Sequence, residues 1–177
     1  MGAIDLPEVP DGLPWPVVLG VDPGTLVMGY GAVVHRPDGP RLLAAGVLRA
    51  SRSGDVPTRL GHLRQEIDLV LARLKPSVVV VEHAFTAINV QSALRVGEGR
   101  GVALSSAACF GAKVIQYQAS QAKKSVVGVG SADKERVAQM VAAELKLEEA
   151  PRPLDATDAL ALALTYIHKS RLEKHRA

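Results

Sequence analysis

The sequence predicts a single α/β domain built on a five-stranded mixed sheet, with three strands in an antiparallel meander and two parallel strands, flanked by helices. Three observations predict it. Residues 17–50 read as three short apolar segments separated by turn residues, and beyond them segments of strand length alternate with stretches of helical periodicity. Hydrophobic residues make up 47% of the chain and aromatic residues only 3%, so Val, Leu and Ala fill the core, which suits a sheet covered by helices better than an aromatic-rich β-sandwich. The 177 residues are enough for one domain with a proper core and few for two.

Residues 1–16 hold four prolines and three acids without apolar periodicity, which predicts a mostly disordered leader able to lay Trp15 against the body. Val17, Val18, Leu19 and Val21, interrupted only by Gly20, then form a strand buried on both faces. Asp22 is its first polar residue. Pro23-Gly24 supplies a turn, and Met28–Val34 resumes a strand in which Gly29 and Gly31 let backbones approach closely. Pro37-Asp38-Gly39-Pro40 is a second turn and Leu42–Leu48 a third strand. Leu60, Leu63, Ile67, Val70, Leu71 and Leu74 recur at helical spacing until Pro76 stops the helix.

Ser77–Val81 is the purest strand signal in the chain, and it runs into Glu82. A strand reached through a helix lies parallel to its neighbour by a right-handed crossover; beside the first strand, it puts Glu82 and Asp22 on one sheet edge. Asn89 caps a long helix through about Ala108, in which Gly97, Gly99 and Gly101 each cost up to ~1 kcal/mol relative to Ala, an expense that close packing against another backbone, such as a partner subunit's, would offset. The GEGRG run does not directly follow a strand, so it is no dinucleotide fingerprint. Lys113–Gln118 is a fifth strand. Gln121–Val127 is a short basic segment, and a loop at Gly128–Gly130 is bracketed by Lys123, Lys124 and Lys134. Ser131 is the expected N-cap of a helix that buries Val137, Met140, Val141 and Leu145. The last helix starts near Asp155 and sets Asp155 and Asp158 side by side, before a basic tail over 169–177.

Composition excludes several classes. The lone Cys109 rules out an internal disulfide and a multi-cysteine zinc site, which points to a reducing, cytoplasmic setting. No apolar run reaches membrane-spanning length, and the N-terminus lacks a secretory pattern. The net charge of +3 is unevenly spread: 1–35 hold four acids and no Lys or Arg, 36–76 eight bases against four acids, and 95–136 seven against three. Basic regions flanking strand-end acids suit an enzyme that acts on a polyanion.

Each acid alone has a plain structural explanation. Asp22 can cap its turn, Glu82 can be a solvated strand exit, and Asp155 and Asp158 can favour the helix macrodipole. Brought together they cannot all stay ionised without cations, and Mg²⁺ or Mn²⁺ is the natural partner for a set of oxygen ligands. Two such ions about 3.5–4 Å apart would activate a water and stabilise the leaving oxygen of an in-line phosphodiester displacement.

GVDPGTLVMGYG, VVVVEHAF, SALRVGEGRGVAL, QAKKSVVGVGSADK and LDATDALALALTYIH, in that order, resemble the RuvC family of Holliday junction resolvases over about residues 17–168. The resemblance implies an RNase H-like fold and a homodimer. It also implies paired nicks at a four-way DNA junction that leave 5′-phosphate and 3′-hydroxyl ends, with RuvAB as the branch-migration partner. It carries the family's catalytic and metal-binding acids onto Asp22, Glu82, Asp155 and Asp158, its junction-inserting aromatic onto Phe85, and its phosphate-contacting lysines onto Lys123 and Lys134. A stacked Phe would contribute roughly 1–3 kcal/mol per base. His83, beside Glu82, stands nearest the site among the histidines. Two other readings fit parts of the sequence: a YqgF-like RNase H-fold nuclease acting on RNA, and a phosphate-binding module of the actin and sugar-kinase superfamily, for which VDPGT fits only locally.

Overall fold

Strand alternation decides which layer each residue joins. In the computed structural model, which describes residues 6–83 and 90–174, β1 (Val17–Asp22) turns Val17, Leu19 and Val21 into one apolar cluster and Val18 into another. β4 (Val78–Glu82) divides in the same way, with Val79 and Val81 on the first face and Val78 and Val80 on the second. With β2 (Val27–Arg36), β3 (Gly39–Arg49) and β5 (Lys113–Tyr117) the sheet order is β3-β2-β1-β4-β5. The β1/β2 and β2/β3 pairs are antiparallel, and β1/β4 and β4/β5 are parallel. The expected meander plus two parallel strands is therefore what the chain forms.

Helices cover both faces. α1 (Val56–Leu74) and α2 (Val90–Phe110) pack on the first cluster, while α3 (Ala119–Val127), α4 (Lys134–Leu145) and α5 (Leu154–Lys174) pack on the second. α5 lies between the sheet and the α3–α4 pair. Its residues Leu160, Leu162, Leu164 and Ile167 are all fully buried, and each contributes roughly 1.5–3 kcal/mol. No helix among the described residues is long and apolar enough to cross a membrane.

Residues 6–16 lie as a strap against the body: Val9 is buried, its N–H bonds Arg73 O at 3.0 Å, Glu8 and Asp11 pair with Arg73 and Lys75, and Arg36 stacks on Trp15 at 4.5 Å. One apolar anchor and two ion pairs leave no periodic trace in the sequence. α1 does stop at Pro76, with Lys75 before it leaving the helix in a left-handed conformation (φ 46°), in keeping with the bar on helical geometry before proline. Other local expectations need correction. The N-cap of α4 is Asp133, which accepts from Arg136 N–H at 2.7 Å, rather than Ser131. The basic segment after β5 is helical, and α5 continues to Lys174, so the tail boundary at 168 falls inside a helix. The expected cap Asn89 lies outside the described residues.

Candidate active site

The same alternation aims the strand-end acids. Asp22 shares its side of β1 with Val18, and Glu82 its side of β4 with Val78 and Val80, so both side chains emerge on the face that α5 covers. Glycines then let α5 come down onto the sheet. A Cβ at Gly20 would fall on the Ala159 carbonyl, and one at Gly29 on the backbone of Asp155. Gly29 is the Cα partner of Asp22 across the β1/β2 pair, so this contact carries the start of α5 to the end of β1. Gly99 performs a similar task on the other face, where α2 meets the Gly24 carbonyl of the β1–β2 turn.

A hollow of about 220 Å³ opens there, lined by Asp22, Glu82, Asp158, Lys123 and Lys134. Asp155 stands at its margin, with its carboxylate 3.8 Å from Lys134 Nζ, while Asp158 Oδ2 is 2.6 Å from the same ammonium. Lys123 donates to the Ala132 carbonyl at 2.7 Å and so fastens the loop that leads into α4. Another hollow of about 540 Å³ beside α4, lined by Glu135, Glu148, Glu149 and Arg152 among others, holds none of the four acids.

The electrostatics are those of carboxylates short of cations. Burial, then the charges of Glu82, Asp158 and Asp155, push the Asp22 carboxyl up to about 8, with Lys134 only partly offsetting them. Burial and Asp158 likewise raise Glu82 against the pull of Lys134 and Lys123. Burial alone would lower Lys134, yet its hydrogen bond to Asp158 and the charges of Asp158, Asp22 and Asp155 raise it. As the side chains stand, no three His, Cys, Asp or Glu among the described residues are gathered tightly enough to enclose a metal ion, and the Lys134 ammonium sits against Asp158. An all-oxygen donor set whose charge exceeds what one lysine neutralises nonetheless fits a hard divalent cation.

The structure thus gathers Asp22, Glu82, Asp158, Lys123 and Lys134, with Asp155 alongside. Phe85 lies outside the described residues. Sequence reasoning missed the pairing of Lys134 with Asp158. Its signal is the place of Lys134 as the first residue of α4, directly after the Asp133 cap.

Comparison with known proteins shows what the chain resembles. The family model for the crossover junction endodeoxyribonuclease RuvC matches residues 18–166. The RuvC of Chlorobium chlorochromatii is 40% identical over 148 residues, covering 84% of this chain and 77% of that one. The structure of Thermus thermophilus RuvC superposes with a TM-score of 0.81 at 37% identity, covering 89% of this chain and 96% of that one. That of T. thermophilus RuvC in complex with a Holliday junction substrate gives a TM-score of 0.79 at 35% identity, covering 88% and 96%. With its sheet order, its acids at the carboxyl ends of β1 and β4, and a family match across nearly the whole ordered body, this chain belongs to the RuvC family of crossover junction endodeoxyribonucleases.

Proposed function

We propose that this chain is a Holliday junction resolvase that cuts with Asp22, Glu82, Asp155 and Asp158 as its catalytic, metal-binding set. The observation that carries the assignment is their convergence at one sheet edge. The family is one of metal-dependent nucleases, and the oxygen donors favour Mg²⁺, with Mn²⁺ a workable substitute and two ions per subunit. Held by these four carboxylates, such ions would supply an activated water and stabilisation of the leaving oxygen, the chemistry that leaves 5′-phosphate and 3′-hydroxyl ends.

The chain's own groups do the rest. Asp22 and Glu82 hold protons more readily than free carboxylates, so charging the site with cations is coupled to proton release. Lys134, drawn off Asp158, stands at the rim within reach of a phosphate oxygen, and Lys123 holds the adjoining loop in register. Phe85, three residues beyond Glu82, is assigned to stacking at the open crossover.

Two strands must be cut, so the active form is a homodimer. Its support is the outer face of α2, where Leu94 is exposed and a Cβ at Gly97 or Gly101 would meet open space. The branch-migration complex RuvAB is the partner that presents the junction, and the cytoplasm is the compartment. A labelled four-way junction, a linear duplex and an RNA, each incubated with and without Mg²⁺, test the assignment: paired nicks in the junction alone and only with the ion are expected, and cutting confined to RNA would reject it.

A further inference from the structure

A second hollow, of about 430 Å³, lies beside the acid cluster, lined by Glu82, His83, Gln118, Ala119 and Ser120. Glu82 and Ala119 line both hollows, so the two open side by side at this sheet edge. The parallel strands β4 and β5 end together here, since Glu82 is the Cα partner of Tyr117 and His83 N–H bonds the Tyr117 carbonyl at 2.8 Å. That bond presents the exposed His83 ring from a paired strand end rather than a free loop, opposite the exposed Ser120 in the first turn of α3. A crevice outside the carboxyl ends of parallel strands is where such sheets bind ligands.

We infer that this hollow receives the base of the nucleotide next to the scissile phosphate, and that His83 and Ser120 read it. The inference rests on the resolvase assignment above. The chemistry favours a base over a second phosphate. No Lys or Arg is among the described lining residues to pair with an anion. The remaining groups are an aromatic ring on which an unstacked base can lie, and neutral side chains that donate and accept hydrogen bonds. The volume is that of a small-molecule pocket.

The test is a panel of four-way junctions, identical except for the base on either side of the cleavage point, cut by the full chain and by its His83→Ala and Ser120→Ala variants in Mg²⁺. Wild-type protein is expected to prefer one base at one flanking position, and His83→Ala to shrink the ratio between best and worst base by about tenfold, the size of one lost base contact. Ser120→Ala should shrink the same ratio by a smaller factor. Ratios unchanged in both folded variants would overturn the inference while leaving the resolvase assignment intact. A uniform rate loss with altered salt dependence would overturn it in favour of a phosphate contact. A wild-type protein that cuts no junction would reject the assignment and the inference together.

Discussion

Lys134 Nζ stands 2.6 Å from Asp158 Oδ2, so the nearest cation in a cluster of four acids is supplied by the first residue of the neighbouring helix. A divalent ion drawn to Asp158 must compete with that ammonium. Lys134→Ala is therefore expected to bind Mg²⁺ or Mn²⁺ roughly threefold to tenfold more tightly, as the loss of a partly exposed pair worth about 1 kcal/mol implies. It should also bind junctions more weakly in EDTA and with a flatter salt dependence. Calorimetric metal titration and a junction titration at several salt concentrations check the two halves. Metal affinity that falls on losing the lysine would show that it organises the acids rather than competing for them.

Asp22 gives the metal-free protein a pH dependence of unusual sign. Its folded value of about 8 lies above the ordinary 3.8, so between those values the folded state keeps a proton that the unfolded state has lost. Stability therefore falls as pH rises from about 4 to about 8, and the penalty is complete above that. Asp22→Asn removes the charge and is expected to raise the melting temperature in EDTA at pH 8 much more than at pH 4.5, while abolishing nicking in Mg²⁺. Equal effects at both pH values would contradict the burial argument. Normal cutting by the variant would remove Asp22 from the catalytic set.

Gly20 and Gly29 let α5 touch the sheet, and they are the positions where a methyl group should do most harm. A Cβ at either would strike backbone of α5, which cannot rotate aside as a side chain can. Gly20→Ala or Gly29→Ala is expected to cost about 1–3 kcal/mol in urea unfolding, typical of overpacking, and to slow cutting even where the protein stays folded. Gly61→Ala, where nothing lies within 4 Å, is the control. Full activity in Gly29→Ala would show that the spacing of Asp155 and Asp158 from Asp22 has slack.

Much of this site could be read from the sequence because strands keep strict books: once Val17–Val21 and Val78–Val81 are strands, parity fixes the side on which Asp22 and Glu82 emerge. The helical repeat of 3.6 residues likewise sets Asp155 and Asp158, at i and i+3, on one face. What could not be read is non-local. The descent of α5 onto Gly20 and Gly29 depends on a contact more than a hundred residues away in sequence, and the middle of α5, Ala159–Leu164, is apolar all round, so no amphipathic stripe says which side meets the sheet. α3 escaped for a different reason, since only Ala122 and Val126 of its nine residues are buried, too few to set a period.

The glycines of α2 separate the fold from its assembly. Gly99 is accounted for inside the chain by the Gly24 carbonyl, whereas Gly97 and Gly101 have open space around them and share an outward face with Leu94. In a lone subunit those two glycines only weaken the helix, by about 1 kcal/mol each relative to a good helix former. Gly97→Leu or Gly101→Leu is thus expected to raise the melting temperature of the subunit, yet to dissociate a dimer whose helices meet there. Gly99→Leu should instead lower the melting temperature, because its side chain collides with the Gly24 backbone. Sedimentation and thermal melts of the three variants give both readings, and junction assays add a third: a monomer that retains its acids should leave singly nicked junctions where the dimer leaves resolved duplexes. An unchanged dimer in both Gly97→Leu and Gly101→Leu would place the subunit interface elsewhere.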